Sequence, residues 1–508
     1  MYPEGDPGVQ NLKLQPTLKK RHFRLWSVLF VVLFLACSIV KDVRTPMWAD
    51  ELLTLYMSQQ AGTAEIVRAT REGSDNAAPL YAMIVRAILP VVGHQAAAVR
   101  LPATLGYCGM LICLLAFCRR RLPAVYALAA ALLACDATLK YATEGRSYGV
   151  LLGCASCALL CWQAAIDGRR RILALWLLAF SVALMTAMQY YSIFFLVPLF
   201  AAEMVRWRTS RKLDFGVLAA MTPVLLVLGL HYPLIAAIKP FQRHFWSPAV
   251  WGLIPVVYYG YLGPMLRACL LPLGVLAVFS TTSDDRSSKP PSLILPEWVA
   301  AGAFLLMPLC AVAVSVYTTH VFVARYALWA APSFAVLVAA LMCRVARGQA
   351  AVGVSLLGLL VAMIALSEMS DLRTRPALRS GEAVRQALEA LPDGAEPIVV
   401  ADVHVFMELS YYAERRIRER IIYPISRDLE LRYSGSDTSS LLLSALSHRT
   451  TLHIIDYDAV LAAHPRFVLA ALPANYLRSH LVTAGWRAVP IGSSTAPVLY
   501  EVEAPGRK

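Results

Sequence analysis

The chain has 508 residues, of which 58% are hydrophobic and only 16% charged; a soluble domain is nearer half apolar and a quarter charged, so a single soluble globule is excluded. The formal net charge of +14 would suit a nucleic-acid binder, but the arginines stand in short clusters between apolar runs, where membrane topology puts them, so no nucleic-acid partner is expected. The eleven cysteines all fall between Cys37 and Cys343, in or beside apolar segments, which leaves the polar C-terminal part without a disulfide and offers no spacing that suits zinc.

Residues 1–24 form a basic N-terminus that ends in Lys19-Lys20-Arg21-His22-Phe23-Arg24. The apolar segment that follows has the charge order of a signal sequence, and Phe34-Leu35-Ala36-Cys37 approaches a lipoprotein cleavage site, although Phe34 fits it poorly. Further apolar segments follow in series, so we read the first as an uncleaved helix. A spanning helix needs about 20 mostly apolar residues. By that rule spans are expected near 25–42, 98–118, 124–139, 148–166, 172–188, 190–206, 214–237, 252–280, 297–316, 322–343 and 350–368. The fold class is therefore a polytopic α-helical membrane protein of about eleven spans. Residues 25–368 form its transmembrane domain, and 369–508 form a soluble C-terminal domain.

Charge placement sets the orientation. With the basic N-terminus cytoplasmic, the connections expected inside are Arg119-Arg120-Arg121, Asp167 to Arg171, Arg206 to Lys212, Arg286 to Lys289 and Arg344 to Arg347, and every one is basic. The opposite connections, 43–97, 140–147, 189, 238–251 and 317–321, are mixed, acidic or very short. The long loop 43–97 and the tail then lie outside the cytoplasm. Ala77 to Val92 is apolar but short and carries Arg86; counting it as a span would invert everything downstream, so it is read as a helix lying at the interface.

The tail opens with a polar helical stretch, Pro376 to Leu391. Two apolar runs rich in β-branched residues, 398–401 and 451–455, are strand candidates, and Met407 to Arg420 looks helical. Alternation of strands and helices points to a small extracytoplasmic α/β domain.

The candidate chemistry gathers on one membrane face. Asp50-Glu51 follow Trp48 just beyond the first span, where paired carboxylates suit proton transfer or metal binding. The same residues would also suit a capped interfacial helix, since an acid near a helix N-terminus needs only the dipole to explain it. The short loop after the third span holds Lys140, Tyr141, Glu144, Arg146 and Tyr148; an Arg there suits a phosphate, and a Glu144–Arg146 surface pair is the plain alternative. Lys239, Arg243, His244 and Trp246 form a third cluster. His320 precedes Arg325-Tyr326, and Arg325 lies a few residues inside an apolar run, a depth at which an ionisable group faces a cavity or a partner such as Glu51 or Glu144. No spanning segment carries the mid-depth carboxylate or Gly/Pro-broken pair of a transporter.

This ordered set resembles the GT-C superfamily of integral-membrane glycosyltransferases, in particular bacterial protein O-mannosyltransferases and lipid A aminoarabinose transferases. The resemblance rests on Asp50-Glu51, Pro79-Leu80-Tyr81, Arg100-Leu101-Pro102 with Gly106, Tyr141, Glu144, Arg146, Tyr148 and Arg325-Tyr326, and it covers about residues 25 to 345. Where that family commonly shows His-Pro-Pro-Leu-Tyr, this chain has Ala77 and Ala78 before Pro79, which puts metal use in doubt. The resemblance implies transfer of a sugar from a polyprenyl-phosphate donor to a lipid, glycan or protein acceptor, outside the cytoplasm at a bacterial inner membrane. It implies Asp50 and Glu51 as catalytic residues, with Asp50 as base in an inverting displacement. Tyr81, Tyr141, Glu144, Arg146, Tyr148, His320, Arg325 and Tyr326 are implied as substrate-binding residues. Glu51 and Glu144 would orient the acceptor or hold a divalent cation. Rival classes are a lipid-linked-glycan flippase or other transporter, and a non-catalytic envelope-assembly protein.

Overall fold

The computed structural model describes residues 28–280 without 30, 33 and 37, then 292–374, 380–392, 394–471, 475–492 and 498–505. The basic N-terminus 1–24 and the connection 286–289 lie outside the described residues. The chain is a polytopic helical membrane protein with a C-terminal α/β domain. Eight helices among the described residues are long and apolar enough to cross a membrane: Gln95–Arg119, Ala124–Ala142, Tyr148–Ile166, Arg171–Met188, Phe215–Ala237, Leu253–Pro272, Leu295–Tyr317 and Ala324–Val345. The remaining three expected positions hold the helical residues described between 28 and 44, the segment Tyr190–Ser210, and the helix Ala350–Thr374. Leu80–Val92 is a helix of only 13 residues. Several spans end in a 3-10 turn at the face that carries 43–97. Leu139–Ala142 closes one, Tyr190–Phe195 opens another after an extended break at Gln189, and Ala324–Ala330 precedes Ala331–Val345.

Glycine sets the closest helix contact. A Cβ on Gly149 would lie 2.1 Å from the carbonyl oxygen of Ala103, and one on Gly153 would lie 2.3 Å from that of Gly106. Small residues four apart let Gln95–Arg119 and Tyr148–Ile166 approach backbone to backbone, as membrane helices do without a hydrophobic drive between them. The faces turned away from the bundle are apolar and exposed, as at Ile172, Trp176, Phe180, Leu225, Leu226 and Leu230, which suits contact with lipid. At the face opposite 43–97, Arg121 bridges Glu297 (2.9 Å) and Asp167 (2.7 Å), so this basic connection also ties three helices together.

In the tail, strands β1 (Ile398–Val400), β2 (Ile421–Ile425), β3 (Ile454–Asp456), β4 (Arg466–Ala470), β5 (Arg487–Pro490) and β6 (Leu499–Glu503) form one sheet in the order β3-β2-β1-β4-β6-β5. The first four are parallel, and β6 runs antiparallel to both β4 and β5. Parallel strands need crossover connections, which the helices between them supply. Met407 to Arg420 is not one helix: Val403–Tyr412 ends where Ala413 turns extended, and only the turn Arg415–Arg418 follows before β2.

The central strands of the sheet are buried on both faces, while the edge strands β3 and β5 are largely exposed. Val399, Leu469 and Phe467 pack on one side with Leu477 and Leu481. Ile398, Val400 and Val468 pack on the other with Phe406 and Leu409, and this second core is continuous with Leu52, Leu55 and Tyr81 of the membrane domain. The tail is therefore seated on the loop 43–97. The Met47 backbone N–H donates to the Tyr412 hydroxyl at 2.7 Å, and Arg449 pairs with Glu65 and Glu72.

Candidate active site

Between the transmembrane domain and the tail lies a cavity of about 410 Å³. The membrane side contributes Asp50, Asp75, Asn76, Arg146, Tyr148, Arg325 and Tyr326, with Trp48, Tyr190 and Trp246 as aromatic walls. The tail contributes His404, Met407, Thr438, Ser439 and Leu442. Asp50 and Glu51 sit in the first turn of the helix Ala49–Ser58. Successive helical residues point about 100° apart, and the two acids go separate ways.

Glu51 does not line the cavity. It is 1% exposed and forks with Arg100, Nε to Oε1 at 2.7 Å and the second nitrogen to Oε2 at 2.6 Å. It also accepts the backbone N–H of Gly145 at 2.6 Å and of Trp48 at 3.2 Å. Arg100 in turn donates to the carbonyls of Asp42, Thr45 and Pro46. The pair thus ties the end of the first helix, the Asp50 helix and the 140–147 loop into one unit. Removing one partner of such a pair leaves a bare buried charge. Arg100→Gln should therefore lower stability by about 3–5 kcal/mol, checked by thermal unfolding in detergent, with Glu51→Gln following in the same direction.

Asp50 points into the cavity. Its Oδ2 lies 3.5 Å from a terminal nitrogen of Arg325, both side chains being about one-quarter exposed. Arg325 therefore pairs with Asp50, neither with Glu51 nor with Glu144. Its Nε is buried without a hydrogen-bond partner among the described residues, and its guanidinium lies over the Tyr148 ring at 5.5 Å. Arg146 is more firmly held: it donates to Asp75 Oδ2 at 3.2 Å, to the Thr54 hydroxyl at 3.1 Å and to the Asp50 carbonyl at 3.4 Å. Burial opposes its charge, but Asp75 and then Asp50 offset that and hold the guanidinium above its usual range.

Glu144 is half-buried beside these groups. Burial, opposed by Arg325 and reinforced by Asp50, pushes its carboxyl up to about 7. A carboxyl whose folded value lies above its ordinary 4.5 favours the folded state while protonated and loses that contribution as pH rises through about 7. Glu144→Gln removes the titration. Its melting temperature should match the parent near pH 4 and exceed it at pH 8.

The other candidates divide. Tyr326 lines the cavity and stacks on Tyr191 at 5.0 Å. Tyr141 packs edge-on behind Tyr148 at 5.3 Å. Tyr81 is buried outside the cavity and donates to the Val99 carbonyl at 2.8 Å. His320 is an exposed turn residue with φ +57°, away from the cavity. Among the described residues, no group of three or more His, Cys, Asp or Glu side chains is placed to hold a metal ion.

No family model and no curated protein matches the sequence. Among solved structures, the crystal structure of ArnT from Cupriavidus metallidurans bound to undecaprenyl phosphate is similar, with a TM-score of 0.54 at 14% identity over 94% of this chain and 98% of that one. The apo crystal structure of the same protein gives a TM-score of 0.45 at 13% identity over 95% and 98%. The chain has the ArnT fold. ArnT is a lipid A aminoarabinose transferase of the GT-C type, so the fold expected from the motifs is the fold found. The likeness also runs through the tail, which the motifs do not reach.

Within this ArnT fold, three groups at the cavity escaped the sequence reading. Asp75 lies in an ordinary polar loop stretch, 72–76, and its one signal is its place just ahead of Pro79-Leu80-Tyr81. Asn76, whose Oδ1 is buried without a hydrogen-bond partner, shares that stretch. His404 stands in the C-terminal α/β domain, where a histidine carries no signal of its own.

Proposed function

We propose that the protein transfers a sugar from a polyprenyl-phosphate carrier to an acceptor by a single inverting displacement, at the extracytoplasmic face of a bacterial plasma membrane. The observation that carries this reading is the placement of Asp50 and Arg325 3.5 Å apart in one cavity beside the membrane. A base and a phosphate-binding cation stand together there. In support, the ArnT structure that shares the fold has undecaprenyl phosphate bound. Among the described residues, the basic connections 119–121, 167–171, 206–212 and 344–347 support the cytoplasmic placement of the N-terminus and the outward placement of the tail.

The acceptor hydroxyl gives its proton to Asp50 as its oxygen attacks the anomeric carbon. The bond from that carbon to the phosphate oxygen breaks, and its electron pair stays on the phosphate, where Arg325 stabilises the charge. Arg146, already neutralised by Asp75, holds the backbone of the Asp50 turn, and Glu51 with Arg100 fixes the same turn from behind. Tyr148 and Tyr326 flank Arg325, and the indoles of Trp48 and Trp246 offer flat faces to a sugar ring. Glu144 orients the acceptor, and the sugar is a hexose or a pentose.

The test uses the full chain in proteoliposomes, with a panel of synthetic undecaprenyl-phosphate-linked hexoses and pentoses and an envelope extract as acceptor source. Release of undecaprenyl phosphate that depends on both protein and extract is the expected result. Movement of an intact donor across the bilayer without such release would point to a flippase instead.

A further inference from the structure

The tail closes the cavity with a histidine that the displacement itself does not use. His404 follows β1, at the carboxyl end of the parallel strands, where β1 connects onward to its neighbour β2 on one side and pairs with β4 on the other. In open α/β sheets this crevice is where ligands and reactive groups gather. Asp402 fixes the backbone turn that carries the imidazole and places a carboxylate beside it. Its Oδ1 accepts the backbone N–H of His404 at 2.9 Å and of Val405 at 3.0 Å, capping the helix Val403–Tyr412, and the same oxygen lies 3.7 Å from His404 Nδ1. Asp402 thus lies close to one ring nitrogen without a direct hydrogen bond to it, while the side chain remains 61% exposed and lines the cavity that Asp50 lines from the other domain.

We propose that His404, oriented by Asp402, is a second proton-transfer group of this site, which takes the acceptor proton onward from Asp50 and releases it to solvent. This rests on the reading of Asp50 as base. The place for such a group follows from the surroundings of Asp50, which stands between Arg325 and the Trp48 wall and opens onto the cavity that His404 lines. A carboxyl that has gained a proton there must lose it before the next turnover. The transfer balances: protonated Asp50 gives its proton to the free ring nitrogen of neutral His404, directly or through one water, and the imidazolium passes it to bulk water.

The charged groups around the ring set the direction of the pH dependence. Asp402 precedes it and Glu408 lies one turn on along its own helix, while Asp50 faces it across the cavity, where Asp75, Arg146 and Arg325 complete the lining. The neighbouring helix Thr438–Ser447 presents Thr438 and Ser439, which are uncharged. Asp402, and then Asp50 and Glu408, hold the imidazole above its usual range. The proton-accepting form is neutral, so turnover should rise with pH through that raised value.

The test measures undecaprenyl phosphate release by the full chain against pH, with the donor that is active in the panel above. His404→Ala should lower kcat by about 10²-fold, the low end of what loss of a proton-transfer group does, with KM for the donor little changed. It should lose the limb in which rate rises with pH, and imidazole in the buffer should restore part of kcat. Asp402→Asn should keep the limb but move it to lower pH. His404→Gln, closer in size, guards against a packing defect, and its kcat should fall like that of the Ala variant. A His404→Ala protein with parental kcat and pH profile would overturn the inference, as would a loss of kcat that imidazole leaves untouched. Either result alongside an inactive Asp50→Asn protein leaves the transferase reading standing, whereas full activity of Asp50→Asn removes that reading itself.

Discussion

Asp50→Asn should leave a folded, inserted protein whose release of undecaprenyl phosphate is about 10²–10⁴-fold slower, the range set by loss of a general base. Stability should hardly change. The ion pair with Arg325 spans 3.5 Å between side chains about one-quarter exposed, and pairs of that kind contribute about 0–1 kcal/mol. The neighbouring acid supplies the contrast. Glu51→Gln should lose activity in proportion to folded protein, because Glu51 holds Arg100 and two backbone N–H groups rather than facing the cavity. Measured side by side, melting temperature and turnover separate the two: Asp50 in the rate, Glu51 in the fold. Turnover of Asp50→Asn within a few-fold of the parent would remove Asp50 from the chemistry.

That contrast also shows where sequence reasoning stops. Asp50-Glu51 is legible as a pair of acids beyond a span, but adjacency does not say which acid faces the cavity. The answer depends on helical phase and on Arg100, 49 residues further along the chain. The series of long apolar helices was legible because hydropathy is a strong local signal that the bilayer enforces. Arg146, Tyr148, Arg325 and Tyr326 stood out for the same reason, as polar groups at the mouths of apolar runs. His320 lies only five positions before Arg325, yet its left-handed backbone turns it elsewhere. Asp75 and His404 carry no such signal, being polar residues in polar stretches. They reach the site only through tertiary contact, the first by Arg146 and the second by the seating of the tail. In the tail the apolar run 451–455 located β3 only roughly, since its pairing with β2 begins at Ile454, where the ladder and not the composition decides.

Arg325 should give the largest effect on carrier binding. Its guanidinium is held on one side by Asp50, faces the Tyr148 ring, and keeps a buried Nε without a hydrogen-bond partner. An arginine at the bilayer centre costs about 2.5–3.5 kcal/mol on insertion scales and less near a helix end, and here a single 3.5 Å contact leaves much of the guanidinium unsatisfied. A phosphate ester offering two oxygens would satisfy the open edge with parallel charge-assisted hydrogen bonds, a geometry that lysine cannot reproduce. Arg325→Ala should therefore weaken binding of undecaprenyl phosphate, the probe, by about 10–100-fold, the loss of about 1.5–3 kcal/mol from a hydrogen bond to a charged group. Arg325→Lys keeps the charge and should lie between the two. If Arg325 served only to pair with Asp50, both variants would bind undecaprenyl phosphate like the parent, and Asp50→Asn would shift the melting temperature as Arg325→Ala does. Affinity and melting temperature taken on the same detergent preparation decide between these outcomes. A fall in affinity at constant melting temperature places the guanidinium on the phosphate, and unchanged affinity in both variants removes it from there.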